Sequence, residues 1–143
     1  MKLYQLALCL LVLPTTLLAQ PKPLASLAEA RKMADNAVDL FQQEKFAEGY
    51  ESLKPWWPLP PVEIDSLANQ TDQQWPMVKQ RFGKSLGTEF IRESKAGNSF
   101  AQYVYIQKFQ RHAVRWVFVF YKPEDRWLIN SVSFDDSVSL LFE

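Results

Sequence analysis

Few residues in this chain have side chains suited to chemistry. It holds one histidine, His112, and one cysteine, Cys9. The best placed for acid–base work are Glu89, Tyr103 and Tyr105. The two tyrosines lie two apart in an extended run and so share a strand face, while Glu89 falls on the preceding strand. A carboxyl buried among aromatic rings loses solvation of its charged form, rises in pKa and can move protons. That constellation would suit a cofactor-free isomerase or hydrolase-like enzyme. Against it, tyrosines commonly pack with their hydroxyls at a rim, and Glu89 can pair with Arg92 in water. The second arrangement is favoured, because exposed ion pairs are ordinary and perturbed sites are few.

The other polar candidates are weaker. His112 stands at the turn Gln110-Arg111-His112 with no orienting partner, and is read as solvated or structural. Asp135 and Asp136 are adjacent, point to opposite sides if extended, and suit capping better than chelation. No metal or other cofactor is expected. No triad, phosphate loop or metalloprotease pattern is present. Trp56 and Trp57 stand among Pro55, Pro58, Pro60 and Pro61. They form either an aromatic lip for a ligand or a plug closing one end of the fold, and the plug is favoured because exposed tryptophan is costly. The candidate ligand-binding residues are therefore Trp56, Trp57, Tyr103 and Tyr105.

The elements that must position these residues can be read from periodicity. Ser26 followed by Glu29 is a capping-box start. Leu27, Ala30, Ala34, Ala37, Val38 and Phe41 then form one helical stripe, predicting a helix over 27–43. A second helix carries Phe46, Tyr50 and Leu53 and ends before Pro55. Pro61 opens a third with Ile64, Leu67 and Ala68 inward, and a further helix is expected over Trp75–Phe82. Strands follow at 88–93, 99–110, 113–121 and 126–134, joined by short turns that favour antiparallel pairing.

If Tyr121 pairs with Arg126, Trp116, Phe118 and Phe120 face the helices. Val117, Val119, Leu128 and Val132 then fall on the second face. That face is more apolar than free solvent requires. Two covers are open: the tail 138–142, or another protein chain bound through the sheet, either a homodimer copy or an envelope partner.

The first residues form a separate object. Lys2, the apolar run Leu6–Leu13 and Leu17-Leu18-Ala19 read as a secretory signal peptide cut after Ala19, giving a periplasmic or secreted protein. The run is too short to span a bilayer, so no transmembrane segment is expected once it is removed. Cys9 leaves with it, so the mature chain has no disulfide. Residues 20–25, with Pro21 and Pro23, read as a loose leader. Residues 26–143 form one domain, large enough to stand on its core. Basic and acidic residues balance at 16 each, which argues against a nucleic-acid partner.

Three stretches carry a family resemblance: A-V-D-L-F-Q-Q-E-K-F-A-E-G-Y (Ala37–Tyr50), W-P-M-V-K-Q-R-F-G-K-S-L-G (Trp75–Gly87) and F-V-F-Y-K-P-E-D-R-W-L-I-N-S-V-S-F-D-D (Phe118–Asp136). The chain resembles small secreted bacterial proteins of the nuclear transport factor two-like superfamily, which have a cystatin-like roll. The resemblance implies an α+β fold with a curved sheet, often a cone-shaped pocket, and frequent dimers through the sheet. It implies no single activity, because this roll hosts both enzymes and non-catalytic modules. The expectation is therefore an α+β roll, N-terminal helices on a curved antiparallel sheet of about four strands. Its function is expected to be that of a non-catalytic module binding a small apolar ligand or a protein partner.

Overall fold

The structure, a computed structural model, describes residues 20–143. The expected signal segment and Cys9 lie outside the described residues. Helix α1 spans Leu27–Gln42 and begins as its sequence demands. Ser26 is extended, and its side-chain oxygen accepts the Glu29 N–H at 3.2 Å. The Glu29 carboxylate reaches back to the N–H of Ala25 at 2.8 Å, one residue earlier than a reciprocal capping box would place it. The buried stripe is Ala30, Met33, Ala34, Ala37, Val38 and Phe41, so small residues let the helix lie close to the sheet.

Helix α2, Phe46–Glu51, packs tightly on α1. A Cβ on Gly49 would collide with the buried Phe41 ring, 2.7 Å from its Cδ1. A single 3₁₀ turn, Lys54–Trp56, leads into α3, Pro61–Phe82. The sequence suggested two helices here, and the structure has one. The polar run Asn69–Gln74 continues the helix because Thr71 turns inward. Its hydroxyl donates to the Leu67 carbonyl at 2.8 Å and lies 3.2 Å from the Tyr50 hydroxyl. Pro76 is tolerated inside the helix because Asp72, whose carbonyl loses its donor, is exposed to water.

Four antiparallel strands complete the α+β fold: β1 Ser85–Ala96, β2 Phe100–Phe109, β3 Ala113–Tyr121 and β4 Leu128–Asp135. They lie in the order β1-β2-β3-β4, an open sheet with two edges. The β3–β4 register differs from the sequence expectation. Tyr121 pairs with Leu128 and Phe120 with Ile129. A bulge at Asn130 then sets Val119 against Ser131 and Phe118 against Val132. The longer β3–β4 connection goes with a partner far away in sequence. Trp127 is taken by Leu24, whose N–H donates to the Trp127 carbonyl at 2.9 Å and whose carbonyl accepts the Trp127 N–H at 3.0 Å. The leader is thus pinned at Leu24, which is buried.

The space between helices and sheet is filled with rings. Phe41 stacks on Trp116 at 4.5 Å between centroids, and Trp75 meets Phe46 at 4.8 Å and Trp116 at 5.7 Å. Phe134 closes on Trp116 at 5.0 Å. Among the described residues, no helix is long and apolar enough to cross a membrane.

Candidate functional site

Tyr103 and Tyr105 share the helix-covered face of β2, as their spacing predicts, and both are buried. Their hydroxyls are already engaged. Tyr103 donates to the Leu27 carbonyl at 2.7 Å, and Tyr105 donates to Asp35 Oδ1 at 2.7 Å. Arg31 Nε donates to the same oxygen at 2.7 Å. The Arg31 guanidinium lies over Phe90, its carbon 3.3 Å from the ring centroid. Burial is the main cause that pushes both phenols far above their ordinary range, and the carboxylates add to it: Glu93 beside Tyr103 and Asp35 beside Tyr105. Neither hydroxyl is a ready proton donor.

Glu89 is not part of this cluster. It pairs in register with Ile106, on the sheet's opposite face, where its carboxylate lies 3.7 Å from Lys108 Nζ and is mostly exposed. Nor does Arg92 pair with Glu89, because it holds the tail. The acid–base reading therefore has no constellation of Glu89 with Tyr103 or Tyr105. Arg31 and Asp35 take the place next to Tyr105. Neither belongs to the apolar stripe read for α1 from the sequence. Their spacing of four was a visible sign of pairing, but the aromatic bed beneath them comes from strands far along the chain.

The two tryptophans divide the roles foreseen for them. Trp57 is buried in the core and plugs it; its ring N–H has no acceptor among the described residues. Trp56 is half-buried and lines an open cleft of about 520 Å³ between the leader, α1 and the 3₁₀ turn. Leu24 and Met33 give this cleft an apolar wall, and Lys22, Lys32, Asn36 and Glu29, whose carboxylate accepts the Ala25 N–H, stand around it. The Lys22 ammonium lies 6.0 Å from the centre of the Trp56 ring. Among the described residues, neither lysine forms an ion pair.

The second face of the sheet is covered in part by the tail. The tail forms a 3₁₀ segment, Val138–Phe142, and Arg92 holds it by donating Nη1 to the Leu141 carbonyl at 2.7 Å and Nη2 to the Leu140 carbonyl at 3.0 Å. Val104 and Val117 are buried on this side. Arg115 pairs with Asp135 nearby, and Asp135 caps the Ser137 N–H at 2.8 Å. His112 belongs to the same framework, its ring edge-on to Phe82 and its Nε2 3.2 Å from the Asp136 carbonyl oxygen.

Of the residues expected on this face, Val117, Val119 and Leu128 are there. The shifted register turns Val132 to the helix-covered side and puts Ser131 and Ser133 in its stead. Elsewhere this face carries half-buried Val119 and Leu128 and the stacked pair Phe100 and Tyr121, whose centroids lie 4.9 Å apart.

Among the described residues, no three histidine, cysteine or acidic side chains stand where they could hold a metal ion. The chain matches no protein-family model, no curated protein and no solved structure.

Proposed function

We propose that this chain is a non-catalytic binding module of the periplasm or the secreted space, delivered there by removal of residues 1–19. Its ligand is a small molecule with a flat apolar face and an anionic group, held in the Trp56 cleft. The observation that carries this reading is the placement of Trp56. It is an aromatic wall in an open cleft, with the apolar side chains of Leu24 and Met33 behind it and, at the rim, two lysines unpaired among the described residues against one carboxylate, Glu29, already held by the Ala25 N–H. The cleft's volume suits a small organic ligand, and an apolar wall with a few polar groups around it is the usual composition of such sites. The charged rim sets the orientation, and the ring supplies contact area at little entropic cost. The alternative of an acid–base enzyme has less support, because Glu89 and the two tyrosines lie on opposite faces of the sheet.

The test uses an aromatic sulfonate dye, anilinonaphthalene sulfonate, as a probe of this chemistry. The folded protein binds it with enhanced emission. Trp56→Ala abolishes the enhancement, and Lys32→Gln weakens binding by roughly threefold to tenfold, the effect of one partly exposed charge. Trp57 is left intact, and circular dichroism confirms that the fold is unchanged. Dye binding that survives Trp56→Ala would remove the cleft from consideration.

A further inference from the structure

The sheet has two edges, and they are protected very differently. Strand β1 carries Glu89, Arg92, Glu93 and Lys95, and its pairing with β2 is broken by irregularities at Ser85/Gly87 and Phe90/Arg92. Charges and bulges of this kind keep another strand from pairing with an edge. Strand β4 has one bulge, at Asn130, and one charge, Asp135 at its end, which is paired with Arg115. From Ser131 to Phe134 it is uncharged, free of proline and regular in register. Apart from the β3 ladder, no backbone group of Ser131–Asp135 has a backbone partner among the described residues. Among the described residues, the leader meets this edge at Trp127, just before β4 begins, and then turns to Pro55, whose carbonyl accepts the Lys22 N–H. Pro23 and Pro21 follow in the direction along β4 and have no N–H to continue a ladder.

Beside this edge runs a groove against α3, mainly apolar in its larger hollow and more polar in its smaller one. It consists of two hollows, about 430 Å³ and about 210 Å³, that share Gln74 and Phe134. Val78, Phe82 and Phe134 line the larger hollow together with the charged Arg81, Asp135 and Asp136, and Met77 stands at its lip, 63% exposed. An unpaired strand edge asks for main-chain hydrogen bonds. A hollow on one side of that edge asks for apolar side chains at every second position. Only an extended polypeptide supplies both.

We infer that the β4 edge and its groove are a docking site for an extended peptide segment of a partner protein. The segment adds a fifth strand beside Ser131–Asp135. Its apolar residues fill the hollow against α3, and its alternate polar residues lie beside Ser131 and Ser133. This site is separate from the Trp56 cleft and stands whether or not that cleft binds a ligand.

The probe is a capped peptide of alternating valine and threonine, flanked by lysines for solubility, titrated into isotope-labelled protein. The expected result is a set of amide shifts at Ser131, Ser133, Asp135, Val78 and Phe82. The same peptide with its pairing edge N-methylated binds at least about tenfold more weakly, as main-chain pairing requires. Met77→Lys, a change at an exposed position that leaves the fold intact, also weakens binding. Any of four results overturns the inference: equal binding of the N-methylated peptide, shifts confined to β1 or to Phe100 and Tyr121, no shifts at the peptide's solubility limit, or concentration-dependent shifts at Ser131–Asp135 without peptide. The last assigns the edge to a second copy of the chain.

Discussion

Arg115 and Asp135 face each other across β3 and β4 and close two hydrogen bonds, Nε to Oδ1 at 2.8 Å and Nη2 to Oδ2 at 2.7 Å. The guanidinium is nearly buried, and about a third of the Asp135 side chain is in water. This pair, with the Ser137 N–H, anchors the start of the tail.

The pair makes stability depend on acid. The Arg115 hydrogen bonds, more than any other cause, hold the Asp135 carboxyl below the usual carboxylate range. A depressed folded pKa contributes stability above the unfolded value of about 4, and that stability is lost as pH falls through the folded pKa. Asp135→Asn should therefore flatten the acid limb of the stability curve below about pH 4 and cost about 1 kcal/mol at neutral pH, a figure discounted for partial exposure. Urea unfolding across a pH series measures both. An unchanged acid limb in the variant would show that the pair does not couple to folding.

On the alkaline side the tyrosines act in the opposite sense. Tyr103 and Tyr105 are held above their ordinary pKa, chiefly by burial. Stability that is whole below the unfolded value of about 10 should drain away as pH rises beyond it. Ultraviolet titration of phenolate should show these two rings ionising only with unfolding. Tyr105→Phe should ease the alkaline loss while freeing Asp35 to Arg31 alone.

Arg92→Ala should release the tail and leave the helices unaffected. Two hydrogen bonds to carbonyl oxygens are lost, and Val104 and Val117 gain access to water. The expected cost is about 1–3 kcal/mol. Amide exchange at Leu140 and Leu141 should quicken while exchange in α1 stays slow, and carboxypeptidase should trim the variant faster than the parent chain.

Gly49→Ala tests the closest helix contact. The added methyl meets the fully buried Phe41 ring, which has no room to retreat, so the cost should be about 1–3 kcal/mol of overpacking. Combining it with Phe41→Leu should cost less than the sum of the two single changes, because they share one space. Additive costs in chemical unfolding would mean that the two residues do not compete.

What could be read in advance was what is local. The Ser26 cap, the α1 stripe and the four strands depend on neighbours a few residues away. The rest depended on partners that no short window contains. The continuity of α3 rests on Thr71 meeting Tyr50. The register of β4 rests on Leu24 capturing Trp127, which lengthens the β3–β4 connection, and on the bulge at Asn130, which carries Val132 to the other face. At the candidate site, Trp56 was legible as an aromatic residue of uncertain orientation. Lys22 and Lys32 were not, since only folding brings the leader alongside α1.

The Leu24–Trp127 bridge also has a kinetic meaning. Each strand of the sheet pairs with its neighbour in sequence, so the sheet can zip hairpin by hairpin across small loops. The leader must instead close a loop that encloses nearly the whole domain. In a chain emerging N-terminus first, Leu24 waits without its partner until the last hairpin has turned. Locking of the leader, which also builds one wall of the Trp56 cleft, is thus a late event that marks completion of the sheet.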